Sequence, residues 1–309
     1  MQNTNHILVV RPAHFTFNME TAGSNAFQNV LPEKEEVVKT NVLREFENAV
    51  TLLKSKDIDV TVVEDTLEPV KPDAIFPNNW VSFHADGTVV LYPMYAPNRR
   101  EERRLDVLEM LRKKFQIKNV VDLSKYESEE LFLEGTGSIV FDHQNKIAYA
   151  CISPRTDEQL FIELCNYLHY KPEYFIAVDK KGKQIYHTNV MMCVAEKFVV
   201  ICLESITDER ERKVIVQSFT ETNHEVIDIT FEQMNHFAGN MLELKNANGK
   251  SILVMSKSAH DSLTAKQKAR IEKYAETLPL PIETIEKIGG GSARCMIAEV
   301  FLPANAKSL

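Results

Sequence analysis

A pair of β-rich segments followed by a helical segment recurs along this chain, and no other feature of the 309 residues constrains the fold as much. Apolar residues at three- and four-residue spacing, as in "REFENAVTLLKSK" and "EQLFIELCNYL", indicate amphipathic helices. Thr156, Thr207 and Thr264 are predicted N-caps, because polar, helix-favouring residues follow each of them. The predicted helices span residues 33–56, 98–115, 156–170, 207–222 and 264–278.

The segment before each of the last four helices is a predicted β-hairpin, with turns such as Asp86-Gly87 and Asn248-Gly249. These hairpin segments are "VSFHADGTVVLYP", "SIVFDHQNKIAYACI", "MMCVAEKFVVICL" and "NMLELKNANGKSILVM". The first and last strands, "HILVVRP" and "CMIAEVFLP", could pair to complete a fifth. Five such units predict a closed array around a central channel, and the segments that feed the channel would carry the chemistry. The alternative is a mixed α/β sheet with accidental regularity.

Composition excludes several classes of protein. The net charge is −8 without a basic stripe, so we expect no nucleic-acid partner. No apolar run reaches the ~18 residues of a membrane span, and no secretory signal is visible. The five cysteines include no CxxC pair, which favours reduced thiols in the cytoplasm over disulfides or a structural zinc site.

Cys295 follows three glycines and a serine in "IGGGSARCMIAEV", and this loop makes it a candidate nucleophile. The glycines would let the backbone approach a substrate closely, and Ser292 and nearby N–H groups could face developing negative charge. The alternative is that Cys295 is a small buried hydrophobe, as free cysteines usually are. The other four cysteines lie inside apolar runs and are predicted to be structural: Cys151, Cys165, Cys193 and Cys202.

A cysteine nucleophile needs a proton carrier, and His187 in "IYHTNVMM" is the best candidate. It precedes an apolar strand, and Asn189 lies two residues on and therefore on the same strand face. His236 is a weaker alternative. Three histidines beside turns are expected to be solvated: His84, His143 and His224.

Two carboxylates lie in apolar stretches, Glu134 in "FLEGTGS" and Asp73 in "PDAIFPNNW". An unpaired buried charge is costly, so each needs a partner unless it is a strand-end acid facing water. Asn78 and Asn79 follow Asp73 and by themselves indicate a turn.

Two arginine sites are candidates for binding an anion. Arg99 and Arg100 lie at a helix start, and Arg155 lies just before another helix. At the mouth of a channel these arginines could bind a carboxylate through paired hydrogen bonds, whereas on the surface they would be solvated. The segment "TFNMETAGSNAF" after Arg11 is the candidate for a lid.

Six segments in order resemble the guanidino-group-modifying enzymes, namely amidinotransferases, arginine deiminases and dimethylarginine dimethylaminohydrolases. The segments are "DAIFPNNW", "APNRRE", "EGTGS", "SPRT", "HTNV" and "GGGSARC". The resemblance covers essentially the whole chain and is strongest to the citrulline-utilisation hydrolase branch. It implies an α/β fold, the five-bladed pseudosymmetric α/β propeller (pentein), in one amidinotransferase-like catalytic domain over residues 1–309. It implies a small amino-acid substrate without a metal or organic cofactor; homo-oligomer formation stays open.

The resemblance also implies roles for residues. Cys295 corresponds to the family nucleophile, and His187 corresponds to the general acid/base. Glu134 matches the acid of the family's "EGG" segment, and Asp73 matches the first acid of "D-x-x-F-x-E-D". The arginines that hold the substrate α-carboxylate in the dimethylarginine hydrolases correspond to Arg99 and Arg155.

The departures from the family pattern point to the substrate. Asn78-Asn79 stands where those hydrolases have Glu-Asp, and Asn189 stands where arginine deiminases have the aspartate of "H-L-D". A guanidinium has only donors and favours carboxylates, whereas a neutral ureido group also has an acceptor, which suits asparagine. We therefore predict cleavage of citrulline, through a covalent Cys295 intermediate, to ornithine, ammonia and carbon dioxide. The alternatives are a deiminase, dimethylarginine hydrolase or amidinotransferase acting on a guanidino substrate, and a non-catalytic propeller that only binds.

Overall fold

A computed structural model describes residues 1–29 and 34–305, and in this part of the chain fifteen β-strands form five three-stranded sheets. The strands are β1 (His6–Arg11), β2 (Asp59–Glu64), β3 (Val81–Phe83), β4 (Thr88–Leu91), β5 (Asn119–Asp122), β6 (Val140–Asp142), β7 (Ile147–Cys151), β8 (Lys171–Phe175), β9 (Met192–Val194), β10 (Phe198–Ile201), β11 (Glu225–Asp228), β12 (Leu242–Lys245), β13 (Ser251–Ser256), β14 (Glu276–Leu280) and β15 (Ala298–Glu299). The α-helices are α1 (Glu35–Ser55), α2 (Pro97–Arg100), α3 (Leu105–Arg112), α4 (Gly135–Ser138), α5 (Glu158–Leu168), α6 (Thr188–Met191), α7 (Glu209–Glu221), α8 (Phe231–Asn235), α9 (Lys257–Ser262), α10 (Ala265–Glu272) and α11 (Glu283–Gly289).

All five sheets follow one plan. In four of them, two consecutive strands form an antiparallel hairpin, and a third strand joins the second in parallel after a helical crossover. These sheets are β3-β4-β5, β6-β7-β8, β9-β10-β11 and β12-β13-β14. In the remaining sheet, β15 pairs antiparallel with β1, Ala298 lying opposite Leu8, and β2 pairs in parallel with β1. The predicted hairpins and the predicted pairing of the first and last strands are confirmed.

Neighbouring sheets contact one another in the order of the sequence. β15 contacts β3, α4 at the entry to β6 contacts β3, β6 contacts β9, and β9 contacts β12. The fifth sheet meets the first, because the backbone N–H of Lys245 donates to the carbonyl of Thr4 at 3.1 Å. Ile7 of β1 and Leu244 of β12 also share one apolar cluster. The α/β class is therefore confirmed, with five separate sheets rather than one mixed sheet.

Three of the predicted helices match α1, α5 and α7 to within two residues, although Glu33 lies outside the described residues. The helix predicted over 98–115 is wrong, because α2 and α3 are separate. Arg104 takes an extended conformation between them, and its Nη1 donates to the carbonyl of Glu64 at 2.6 Å. The helix predicted over 264–278 is too long: α10 ends at Glu272, and β14 follows. No helix among the described residues is both long and apolar enough to cross a membrane.

The N-cap of α10 is confirmed, because Thr264 accepts from the backbone N–H of Gln267 at 3.2 Å. The predictions for Thr156 and Thr207 are each wrong by one residue. Asp157 and Asp208 cap α5 and α7 and accept backbone N–H groups at 2.8 and 2.7 Å. A carboxylate both accepts these hydrogen bonds and favours the positive end of the helix dipole, so it outcompetes the adjacent hydroxyl.

The third strand of each sheet was not predicted from the sequence. These strands, β2, β5, β8, β11 and β14, lie at sheet edges and are only partly buried. Each therefore lacks the long apolar run or clean alternation that marks a buried strand.

Asp208→Ala should lower the melting temperature by about 2 °C, because the first turn of α7 loses its cap. Thr207→Ala is the matched control, since that side chain is exposed and does not cap the helix. Thermal unfolding followed by circular dichroism compares the two variants. Equal destabilisation by both would contradict the assignment of Asp208 as the cap.

Candidate active site

In each of the five sheets, a turn precedes the strand that pairs antiparallel with the middle strand, and the five turns lie around one cavity. Asn79 precedes β3, Glu134 precedes β6, His187 precedes β9, Asn240 precedes β12 and Cys295 precedes β15. All five side chains are buried. The short strands that follow are mostly apolar, so packing of the sheets fixes where these polar turns lie.

A cavity of about 20 Å³ lies where the turns meet, with roughly the room that one water molecule needs. Six of the nine predicted site residues line it: Asp73, Asn79, Arg99, Arg155, His187 and Cys295. Of the other three, Glu134 contacts His187, Asn189 contacts the Cys295 thiol, and Asn78 is buried away from the cavity. Two larger surface grooves, of about 950 and 910 Å³, contain none of the predicted site residues.

Glu134 and His187 form a buried pair. Glu134 Oε2 accepts from His187 Nε2 at 2.7 Å and from Arg155 Nη1 at 3.4 Å, and Oε1 accepts from the backbone N–H of Tyr95 at 2.9 Å. Burial lowers the pKa of His187 to about 4, although Glu134 opposes this shift. Burial would raise the pKa of Glu134, but the Arg155 charge and the His187 hydrogen bond outweigh it and hold this pKa well below its usual range. Because an ionised carboxylate only accepts, His187 carries its proton on Nε2 and keeps Nδ1 as a free basic nitrogen.

Residues 16–27, here called the lid segment, lie over the cavity. Ser24 Oγ accepts from Arg155 Nη2 at 2.5 Å, and Asn25 Nδ2 donates to the carbonyl of Gly289 at 3.3 Å. The segment predicted as a lid therefore contacts both an arginine of the site and the glycine loop before the cysteine. With these contacts in place, the cavity is too small for an amino acid.

Arg99 faces the cavity, and Arg100 does not. Glu102 accepts two hydrogen bonds from the Arg99 guanidinium, at 2.8 and 2.9 Å, while Arg100 pairs with Glu127 at 3.4 Å. Arg99 Nη1 donates to Asn79 Oδ1 at 3.0 Å. Because a guanidinium cannot accept, this contact fixes the orientation of the Asn79 amide. Asn79 Nδ2 is left buried without a hydrogen-bond partner among residues 1–29 and 34–305.

Asp73 lies between Asn18 and Arg99. Its Oδ2 accepts from Asn18 Nδ2 at 2.7 Å and lies 3.7 Å from Arg99 Nε. Its Oδ1 is buried and has no hydrogen-bond partner in the part of the chain that the structure describes. Burial raises the pKa of Asp73, with the Arg99 charge opposing the shift. The cavity is thus lined by a carboxyl group of which one oxygen, Oδ2, accepts a hydrogen bond and the other, Oδ1, accepts none from the described residues.

Two asparagine amides flank the Cys295 thiol. Asn240 Nδ2 lies 3.3 Å from Sγ, and Asn189 Nδ2 lies 3.6 Å from it. Asn189 belongs to the short helix α6, so the strand predicted from His187 onward is wrong at this position. Burial raises the pKa of the thiol, and hydrogen bonds from the loop and the amides partly offset this.

The glycine loop before Cys295 is anchored from outside the cavity. Gly290 has a left-handed φ of 62°, and a Cβ at this residue would lie 2.6 Å from Asn25 Nδ2. Its N–H donates to the carbonyl of Glu286 at 2.9 Å, and Ser292 Oγ donates to Glu286 Oε1 at 2.5 Å. The Ser292 side chain is fully buried and does not line the cavity, so the predicted role of its hydroxyl in facing negative charge is wrong. Its backbone N–H hydrogen-bonds the Cys295 thiol and lowers the pKa of that thiol, as expected of an N–H in this loop.

Two of the three histidines that we expected to be solvated are buried, because their turns fold back onto the sheets. His84 Nε2 lies 2.8 Å from Ser82 Oγ, and burial lowers the pKa of His84 to about 4. His224 Nε2 lies 3.0 Å from the carbonyl of Ala195. His143 is half-buried, and His236 is at the surface away from the cavity.

The sequence analysis missed Asn240, Glu102 and the lid residues Asn18 and Ser24. A signal for Asn240 was present in the repeat: like Asn79 and Cys295, it directly precedes the apolar residues that lead into the first strand of a sheet. Comparing the five turns position by position would have identified it. Glu102 lies in the charged run "REERR", which offers no such signal.

Comparison with known proteins relates this geometry to a family. A family model described as N,N dimethylarginine dimethylhydrolase, eukaryotic, matches residues 11–302. No curated protein matches the chain.

Several solved structures share the fold. The apo structure of ArgZ, an arginine dihydrolase from the ornithine-ammonia cycle in cyanobacteria, is 16% identical over 98% of this chain, with a TM-score of 0.75. The match covers 42% of ArgZ, so the chain spans about two-fifths of the length of that protein. The substrate-bound N-terminal domain of ArgZ is 17% identical, with 96% of this chain and 98% of that domain covered and a TM-score of 0.74. A dimethylarginine dimethylaminohydrolase variant in an adduct with S-methyl-L-thiocitrulline is 15% identical, with 96% and 99% covered and a TM-score of 0.65.

Iodoacetamide should alkylate Cys295 faster than the other four cysteines, because Cys295 lines the cavity while burial raises the pKa of each of the others to about 12. The rate at Cys295 should rise with pH through a midpoint above about 8.5, the reference value for a thiol. No inflection is expected between about pH 5 and 7, the range around the reference pKa of a free imidazole, because the pKa of His187 is about 4. Mass spectrometry of the cysteine peptides measures each rate, and an inflection near the pKa of a free imidazole would contradict a neutral His187.

Proposed function

The chain belongs to the N,N-dimethylarginine dimethylhydrolase family, and from that premise we propose that it is a cysteine-dependent hydrolase that cleaves the ureido group of citrulline. The products are ornithine, ammonia and carbon dioxide. The catalytic residues are Cys295, His187 and Glu134. One catalytic domain over residues 1–309 carries them, built as a five-bladed propeller whose blades are the five sheets. The five cysteines are free, which supports a cytoplasmic location.

The observation that carries this proposal is the buried side-chain N–H of Asn79, which has no hydrogen-bond partner among residues 1–29 and 34–305. Arg99 fixes the amide so that Nδ2, a donor, is left over beside the cavity. A ureido group brings a carbonyl oxygen that accepts this hydrogen bond, whereas a guanidinium has no acceptor and would leave the N–H unsatisfied. Leaving one buried donor unpaired costs about 1–3 kcal/mol, or roughly 5- to 150-fold in affinity.

The α-carboxylate of the substrate binds Arg155 rather than Arg99. Glu102 already pairs with Arg99 through two hydrogen bonds. Of the four side-chain hydrogen bonds of Arg155, three go to neutral groups of the lid segment. A carboxylate that displaces the lid hydroxyl of Ser24 gains a charge-assisted bond to the guanidinium. Lid opening and carboxylate binding are thereby linked through one side chain.

The chemistry follows from the positions of Cys295 and His187. The thiol transfers its proton to His187, and the sulfur bonds to the ureido carbon while Asn79 donates to the carbonyl oxygen. The bond from that carbon to the side-chain nitrogen breaks, and His187 protonates the nitrogen as ornithine leaves. Water, deprotonated by His187, then displaces the sulfur from the carbamoyl thioester, and the carbamate formed decomposes to ammonia and carbon dioxide. Glu134 orients His187 and stabilises the imidazolium between the two proton transfers.

A second candidate substrate is arginine, and the observation that favours it is Asp73 Oδ1, which has no partner within the described part of the chain. If Asp73 is ionised in the complex, that oxygen suits a guanidinium donor, and ArgZ is an arginine dihydrolase. Deimination, dimethylarginine hydrolysis and amidino transfer use the same guanidino recognition. A purely binding role is the weakest alternative, because the Cys295, His187 and Glu134 side chains are all present and oriented.

Citrulline should yield ornithine and ammonia, and Cys295→Ser should abolish both. Arginine, agmatine and dimethylarginine assayed in parallel separate the candidates. Turnover of arginine at a higher kcat/KM than citrulline would overturn the ureido assignment while leaving the catalytic residues in place. Inactivity on all four substrates would count against the hydrolase itself.

Asn79→Asp should reverse the preference, because it replaces the free donor with an acceptor and adds a negative charge. We expect kcat/KM for citrulline to fall by about tenfold or more and the ratio of citrulline to arginine turnover to fall further. Asn79→Ala is the matched control: it removes the donor without adding charge, so citrulline turnover should fall without a gain on arginine. A citrulline to arginine ratio that is the same in both variants and the wild type would show that Asn79 does not select the substrate.

A further inference from the structure

The side-chain amide of Asn240 can take only one orientation. The backbone N–H of Arg294 donates to Asn240 Oδ1 at 3.1 Å, and Asn240 Nδ2 donates to the carbonyl of Asn189 at 2.8 Å. A flipped amide would set donor against donor and acceptor against acceptor. Nδ2 therefore points its remaining N–H toward Cys295 Sγ, 3.3 Å away, and the fully buried side chain has no route to water.

The thiol has few other means of bearing negative charge. His187 is neutral, since burial lowers its pKa to about 4. The guanidinium of Arg294 is engaged away from the sulfur, with Nη1 on the carbonyl of Ile297 and Nη2 on Glu299 at 3.0 Å each. The donors that lower the pKa of the thiol are the backbone N–H of Ser292 and the side-chain amides of Asn240 and Asn189. Of the two side chains, Asn240 is the nearer to Sγ, at 3.3 Å against 3.6 Å for Asn189.

We propose that Asn240 is a further catalytic residue, which donates a hydrogen bond to the Cys295 thiolate and stabilises it as the attacking species. The proposal rests on the proposed function only in taking Cys295 as the nucleophile, and it is independent of the substrate. A donor that binds the charged form of an acid favours ionisation, so Asn240 lowers the cost of forming the thiolate in a buried site. It does so without adding a formal charge beside the sulfur.

Asn240 also connects three sheets at the nucleophile. It precedes β12, its Nδ2 donates to Asn189 in the helix α6 that leads into β9, and its Oδ1 accepts from Arg294, next to Cys295 and before β15. If these contacts were only structural, replacing Asn240 would destabilise the protein without changing the pKa of the Cys295 thiol. The pH dependence of Cys295 alkylation separates the two roles, because it reports ionisation directly.

The test measures Cys295 alkylation by iodoacetamide as a function of pH, with no substrate present, for the wild type and three variants. Asn240→Asp keeps the shape but replaces the donor with an anion, and Asn240→Ala removes the donor without charge. Asn248→Asp, at the exposed turn of the same hairpin, is the charge-matched control. Thermal unfolding shows which variants are folded, and if Asn240→Asp is not, Asn240→Ala decides.

We expect the alkylation midpoint to rise by about one pH unit or more in Asn240→Asp, by less in Asn240→Ala, and not at all in the control. On the best substrate of the wild type, kcat of Asn240→Ala should fall by about tenfold with KM nearly unchanged, as for a group that acts on the nucleophile. Folded Asn240 variants with the midpoint of the wild type would overturn the proposal. A shifted midpoint in a protein that does not turn over citrulline would instead sustain this role and refute the proposed substrate.

Discussion

The negative charge of Glu134 is the constraint on which the site depends. A carboxylate that is fully buried would normally be neutral, and Glu134 stays ionised because Arg155, His187 and the backbone of Tyr95 all donate to it. These donors come from different places: Tyr95 follows β4, Arg155 follows β7 and His187 precedes β9. Arg155 extends the network to the lid segment through Ser24. One buried charge thus sets the tautomer of His187, the position of Arg155 and, through Arg155, the contact with Ser24 of the lid segment.

The side chains that contact the Cys295 thiol are neutral amides and not charged groups. Asn79, Asn189 and Asn240 approach the sulfur or the cavity with amides, while the formal charges of Glu134, Arg155 and the Arg99–Glu102 pair are matched to one another. Neutral donors discriminate by whether a partner can accept, because a mismatched buried N–H stays unsatisfied. Charged walls would instead discriminate by net charge, which favours any cation. In the proposed function, the choice between a ureido and a guanidino substrate therefore depends on the donor of Asn79 and the acceptor oxygen of Asp73.

An element of the fold or a residue of the site could be predicted from the sequence where neighbouring residues alone determine it. The helix α5 and the hairpin β12–β13 follow from periodicity and from the turn Asn248-Gly249, which depend only on neighbouring residues. The residues Cys295, His187 and Asp73 could be identified because each lies beside an apolar or glycine-rich segment, and Arg155 because it lies just before a helix; all four line the cavity.

The orientation of the Asn79 amide could not be predicted, because it depends on Arg99 and Glu102, twenty and more residues away. The burial of His84 and the edge strand β5 are likewise tertiary effects with weak local signals.

The pairing of β1 with β15 also bears on the order in which the molecule is made. Four of the sheets are formed by contiguous stretches of chain and can assemble as they emerge from the ribosome. In the sheet β15-β1-β2, the strands β1 and β2 are synthesised early. The antiparallel partner of β1 is missing until residues 298–299 of β15 have been synthesised. Because Cys295 lies just before that partner, its amide donors, the histidine and the lid can surround the sulfur only after ring closure, a slow step of high contact order. A nascent chain therefore carries an ordinary solvated thiol, and the buried thiol with its amide neighbours forms only when β15 pairs with β1.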